Sequence, residues 1–512
     1  MIALSRRGLM GGAAALSAAV WAPRLARAAS AMGFDDARHL LSRTAFGATP
    51  AEIHTLESLD YAAAVDRLLG KPHAAATPAP NWVNEGPAFV RQQQQAAAAK
   101  KGVDGKPLQI AQPIREMARE LRNWWVEEML ATDQPLVERM TLFWHNHFTS
   151  SIQKVRYVPS LYWQNALFRR EAFGNFATLL KEVARDPAML IYLDGTRSVA
   201  RQPNENFGRE LLELFTLGEG HYSEADIKAA ARAFTGWSID RETGRFQNNS
   251  QLHDDGEKTF LGQTGRFGGD EIIAILLRHP RTAETIVEKL WREFVSLKPD
   301  QAEIKRLAAS FRSGGYEMKP LLRALFLSQP FRDPASRAAL LKSPGDLVVG
   351  TVHLLGLPVP EKTQLVRMMA GLGQSPFDPP NVKGWRGGES WITTYTLLLR
   401  QQFLRRIVEA TTVTSMEGGM MAARPSRRTD RRQPTPGAEE AMQMAEPARP
   451  VEGRSLRNAG AEAKLGPTLL GVDSATIART LLPGKPIDGL DTNASPGAVV
   501  AAAMLDPAYQ LK

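Results

Sequence analysis

IREMARELRNWWVEEMLATDQPLVERMTLFWHNHF, residues 114–148, decides the fold class. Ile114, Met117, Leu121, Trp124, Trp125 and Met129 recur at spacings of three and four, which puts them on one face of a helix. Asp133 and Pro135 then open a second helix, carried by Met140, Phe143 and Trp144 to Phe148. The same periodicity continues on both sides. It predicts helices within 35–70 and at about 159–184, 204–217, 224–235, 270–279, 281–295, 300–313, 318–328, 344–356, 360–371, 392–410, 473–482 and 496–505. Thr49-Pro50 and Ser343-Pro344 each place a capping hydroxyl before a proline at the first helical position. Ser223 with Asp226 reads as a capping box.

Strand signal is confined to Ser238–Asp240 and Arg245–Gln247, either side of a Thr243-Gly244 turn. The expected class is therefore mostly α: a multi-helical single large domain with a small β-hairpin excursion, and no alternating βαβ pattern.

The flanks have other characters. Ser5-Arg6-Arg7-Gly8-Leu9-Met10 precedes an apolar run from Leu9 to Ala22, and Ala26-Arg27-Ala28 is a small-x-small cleavage sequence. Residues 1–28 read as a twin-arginine signal peptide, which places the mature chain in the periplasm or outside the cell. The helical body spans 29–410. Within it, 71–113 reads as a linker-like excursion, with prolines at 72, 78, 80, 87, 107 and 113. Residues 411–465 are poor in large apolar side chains and read as a disordered insert. The segment 466–512 reads as helical and docked back on the body.

The 512 residues contain 63 Lys+Arg, 54 Asp+Glu, 9 His and no Cys. Lack of cysteine excludes disulfides, thiolate metal sites and a cysteine nucleophile. Removing the four leader arginines lowers the net charge from +9 to +5, too mild for a nucleic-acid footprint. No later stretch holds 18 apolar residues, so no membrane span is expected in the mature chain. Phosphate-cradling glycine loops, His-Glu-x-x-His and Gly-x-Ser-x-Gly are also missing. That removes support for nucleotide-dependent, zincin and α/β-hydrolase chemistry.

Several ordered motifs carry a family likeness. They are His39-Leu40-Leu41-Ser42-Arg43-Thr44-Ala45-Phe46-Gly47, Trp144-His145-Asn146-His147-Phe148, and Asn204-Glu205-Asn206-Phe207-Gly208-Arg209-Glu210-Leu211-Leu212-Glu213-Leu214. His253-Asp254-Asp255-Gly256-Glu257-Lys258-Thr259-Phe260-Leu261-Gly262 and Pro379-Pro380-Asn381-Val382-Lys383-Gly384-Trp385 complete the set. From about Asp36 to the end, the chain resembles the bacterial domain of unknown function 1800 proteins. The resemblance implies a helical exported protein, often encoded beside a sulfatase-like exported protein of the domain of unknown function 1501 family. It implies no activity and no catalytic residues.

Chemistry must then be sought in the motifs. His145 and His147 have a metal-ligand spacing only if the helix has unwound by His145, because positions i and i+2 of a helix lie about 200° apart. Otherwise His147 continues the core stripe. Asn206, Arg209, Glu210 and Glu213 share a helix face, where two carboxylates can divide acid and base roles or simply form ion pairs such as Glu205 with Arg209. His253, Asp254 and Lys258 lie on a loop that can turn them to one point or form a polar turn. Trp385, in its Gly/Pro loop, can wall a pocket or clamp two helices together.

Two functions follow as expectations. The first is a metal-dependent hydrolase. A divalent ion would be held by His145, His147, His253 and Asp254, with Glu210 or Glu213 as base and Arg209, Lys258 and Trp385 on the substrate. The second is a non-enzymatic periplasmic binding or assembly partner of the sulfatase-like protein, in which the polar motifs hold long helices in register.

Overall fold

A computed structural model describes residues 30–70, 75–99, 112–358, 361–413 and 465–512. The leader, most of the 411–465 insert and parts of the 71–113 excursion lie outside the described residues. Among the described residues the chain forms 21 α-helices and two small antiparallel hairpins, so the mostly α class with a minor β excursion holds. None of these helices is long and apolar enough to cross a membrane.

The capping signals act as read. Thr49 accepts from the Glu52 N–H, Ser223 from Asp226 and Ser343 from Asp346, each at the start of a helix. The stretch 159–184 differs from expectation. It divides into helices Val158–Arg170 and Phe176–Ala184, because Asn175 leaves helical geometry and caps the second by accepting from Thr178. The expected hairpin pairs Trp237–Ile239 with Phe246–Asn248. A second hairpin, Lys258–Phe260 with Gln263–Gly265, turns at Leu261-Gly262, both at positive φ.

Two buried apolar clusters meet along the helix Pro135–His147. One gathers Leu136, Met140, Phe143, Trp144 and Phe148 with Phe176, Phe215, Leu290 and Phe294. The other joins Trp125, Phe377, Val348 and Tyr509. A buried ion pair ties the central helices together. Arg169 grips Glu138 through Nε and Nη2, and Trp125 Nε1 donates to the same carboxylate at 3.0 Å. With both charges satisfied, the pair fixes the mutual register of Gln112–Ala131, Pro135–His147 and Val158–Arg170.

Residues 75–96 are packed. They carry most of the helix Pro87–Ala99, bury Trp82, Val83 and Val90, and are tied down where Glu128 accepts the Thr77 N–H at 2.9 Å. At the C-terminal end, Ser474–Leu481 packs on Pro50–Glu57, and Pro496–Leu505 packs on Thr394–Val413. Leu341 and Leu511 form an isolated β-bridge that brings the end of the chain to the middle of the molecule.

Candidate functional site

The site begins with the helix Pro135–His147, which stays helical through His147. The unwinding that a shared metal would need is therefore absent, and the two histidines face different surroundings. His145 meets Trp125, Phe168, Phe377 and Trp385. His147 meets Phe143, Phe148 and Phe215. Burial among rings pushes His145 down to about 3 and holds His147 well below its ordinary range, so both are neutral at pH 7.

His253 and Asp254 lie elsewhere. His253 Nδ1 bonds the Thr235 carbonyl at 2.9 Å. Asp254 accepts from both Arg232 Nε and Nη2, and Lys258 Nζ caps the loop carbonyls of Asp254 and Gly256. The motif is a locked polar turn. Among the described residues no group of three or more His, Asp or Glu is arranged to hold a metal ion. The expectation of a single centre built from His145, His147, His253 and Asp254 is thus corrected by an unbroken helix and by a loop whose donors are already engaged.

Arg209 and Lys258 are also committed. Arg209 forms a bidentate pair with Glu224 on the surface, with Glu205 further off at 3.6 Å. Glu210 and Glu213 stand next to each other, and desolvation, then Glu213, raises Glu210. Glu213 accepts from the Tyr222 hydroxyl at 2.8 Å and lies 3.5 Å from Lys383 Nζ.

The structure does bring three motifs to one cleft of about 260 Å³. Asn146 and His147 come from one, Lys383 and Trp385 from the second, and the third reaches the rim through the Glu213–Lys383 contact. Asn146 latches the tryptophan loop: its Oδ1 accepts the Trp385 N–H at 2.7 Å and its Nδ2 donates to the Trp385 carbonyl at 3.3 Å. Gly384 permits this approach. Its φ is +76°, and a Cβ there would stand 2.3 Å from Asn146 Oδ1. The clamp and the pocket wall considered for this loop are therefore one arrangement.

Sequence reasoning missed the central residue. The helix Pro280–Phe294 presents Lys289, Arg292 and Glu293 to the cleft, at i, i+3 and i+4. Glu293 is drawn away to Arg139 Nη2 at 2.8 Å. Among the described residues, Lys289 pairs with no carboxylate. Its Nζ donates to His147 Nδ1 at 2.9 Å and to the Leu214 carbonyl at 2.7 Å, and desolvation lowers it to about 8.

That carbonyl is available for a structural reason. The expected helix over 204–217 changes at Leu211 from α to π and remains so to Thr216. Leu217 N–H then reaches back to Leu212, five residues earlier, and the wider turn leaves carbonyls for other partners. Leu217 likewise receives Arg281 Nε and Thr285 Oγ1.

The remaining walls are basic and aromatic. Among the described residues, Arg386 is exposed at the rim without an ion-pair partner and Arg292 bonds only the Leu297 carbonyl. Lys512 enters from behind, paired to Asp346 at 2.7 Å. Phe143, Trp385 and Trp391 supply apolar surface.

Fold and cleft together define a multi-helical protein with a cation-lined, aromatic-walled pocket at the junction of its two cores. The chain belongs to the family described as Protein of unknown function (DUF1800), whose model matches residues 39–511. No curated protein and no solved structure matches it.

Proposed function

We propose that this chain is an exported binding protein whose cleft takes a small organic anion with a flat ring face, such as an acidic sugar or an aromatic acid. Lys289 is the observation that carries this reading. It is a partly buried ammonium facing a neutral imidazole and a carbonyl, with three protons and two acceptors. Its third proton and its uncompensated charge are available to a carboxylate or sulfate in the cleft.

Arg292 and Arg386 add cations of the same sign, and the cleft contributes one carboxylate, Glu293, already held by Arg139. Trp385, Trp391 and Phe143 offer an apolar wall for a ring. The volume suits a ligand of one ring rather than a polymer. This is the binding-protein alternative with its ligand class added. Metal-dependent hydrolysis loses support because its proposed ligands are dispersed.

The test is a melting-midpoint screen at fixed pH, chloride and ionic strength, using matched pairs: glucuronate with glucose, and benzoate with benzyl alcohol. The anions should raise the midpoint and their neutral counterparts should not, and the effect should vanish in Lys289→Met. Equal responses to both members of every pair, or no response to any, would overturn the reading.

A further inference from the structure

Behind the cleft lies a second, smaller space of about 40 Å³, lined by Arg38, Lys342, Asp346 and Lys512. Its surroundings are out of electrostatic balance. Arg38, Arg43, Arg139, Lys342, Arg400 and Lys512 all feel one another or Asp346 within the interior. Asp346 and Glu293 face this group, and Asp35 faces Arg38.

All three carboxylates already have partners, Asp35 pairing with Arg479 at 3.0 Å. Asp346 accepts from Arg139 Nη1 and from Lys512 Nζ, and also caps the helix Pro344–Leu355 at Ser343. Glu293 is taken by Arg139. Three cations are left with neutral partners only. Arg38 Nη2 donates to the Pro483 carbonyl at 3.0 Å. Arg400, with no exposed surface, donates to Gln510 Oε1 and to the Lys342 carbonyl. Lys342 Nζ has no hydrogen bond and stands 3.5 Å over the Tyr509 ring.

Arg43 sharpens the imbalance. It is fully buried, bonds the Ser336 carbonyl through Nη2, and leaves Nε and Nη1 without partners. A lysine can shed its proton to relieve such a field, and burial does bring Lys342 down to about 7. Arginines cannot. Neutral hydrogen-bond partners do not cancel three buried guanidinium charges, and Asp35, Glu293 and Asp346 do not match the six cations, so a net positive charge is left at an unfavourable cost.

We propose that the pocket lined by Arg38, Lys342, Asp346 and Lys512 is a binding site for one monatomic anion, chloride under physiological conditions, that offsets the positive charge of this cluster. The space exceeds what a single small particle needs and is too tight for an organic anion. Half-buried Lys342, whose Nζ has no acceptor among the described residues, supplies hydrogen bonds to the ion. The site is independent of the ligand reading of the outer cleft, although the Lys512 side chain borders both spaces.

The test uses the full mature chain. Crystals grown without chloride and soaked in sodium bromide should give an anomalous peak between Lys342 Nζ and Arg38. In solution, the melting midpoint should rise saturably with sodium chloride or bromide when sodium gluconate holds ionic strength constant, and Lys342→Met should abolish that difference. A bromide-free cavity in the soaked crystal, or identical midpoints in halide and gluconate, would overturn the site. The crystallographic measurement on unaltered protein decides the matter even if Lys342→Met does not fold. Neither measurement depends on Lys289, so failure of the outer cleft reading is read separately.

Discussion

The Lys289 ammonium donates to His147 Nδ1 at 2.9 Å, joining two residues 142 positions apart. The bond requires a neutral imidazole with its proton on Nε2, and burial among aromatic rings keeps the ring neutral. Together with the Leu214 carbonyl it holds a charged amine at the cleft wall, paired with no carboxylate among the described residues.

Amine chemistry checks that environment. At pH 8 about half of Lys289 is unprotonated, whereas Lys383, paired with Glu219 and Glu213, is raised above the ordinary lysine value. Limited acetylation with acetic anhydride, read by peptide mass spectrometry, should label Lys289 ahead of Lys383. The linkage sign is also fixed. The unfolded amine keeps its proton to about 10.5 and the folded one loses it near 8, so this group makes stability rise with pH across that window. Lys289→Met should lack that rise in denaturant titrations.

Acid should act through His145. Its folded value is about 3 against 6.5 unfolded, so the unfolded state takes up a proton that the native state refuses. Stability contributed by the neutral ring is present above pH 6.5 and is lost progressively as pH falls toward 3. In urea unfolding, His145→Phe should lose less stability than the unaltered chain between pH 7.5 and 5. An unchanged slope would contradict the buried neutral assignment.

The tryptophan loop depends on Asn146. Asn146→Ala removes both bonds to Trp385 and leaves its N–H and carbonyl without those partners, at a cost of about 1–3 kcal/mol. Gly384→Ala should cost more, since it adds backbone strain at φ +76° to the collision with Asn146. Faster proteolytic nicking within 381–391 is the accompanying readout in both variants.

The remote motifs should be silent in binding. His253→Ala and Arg209→Ala are expected to leave anion affinity unchanged. Asp254→Ala should lower stability by roughly 1–3 kcal/mol, because Arg232 loses its bidentate partner, again without altering affinity. Loss of binding in any of the three would return these residues to the site.

Much of the fold was readable because its signals are local. Thr49-Pro50 and Ser343-Pro344 act through neighbouring backbone groups, and the Met140–Phe143–Trp144 stripe needs only helical spacing. The cleft was readable in part. Trp385 lines it, yet its position is set by Asn146, 239 residues away in sequence. Lys289 gave no signal, since in sequence it is one of several charges on an amphipathic helix. Its isolation arises only because Glu293 turns to Arg139. The π turn at Leu211–Thr216 was equally hidden, because Leu211 and Leu212 satisfy an α-helical pattern as well. The metal reading failed at the same level. Spacing identified the histidines as a pair, but packing of the intact helix between two cores sent them apart.

The most direct test of the account is a calorimetric titration of glucuronate, glucose, benzoate and benzyl alcohol into the mature chain and into Lys289→Met at pH 7. The account predicts that at least one anion binds the unaltered chain at least tenfold more tightly than its neutral counterpart, and that Lys289→Met removes the preference. Equal affinities within both pairs, or an anion preference that survives in Lys289→Met, would contradict it.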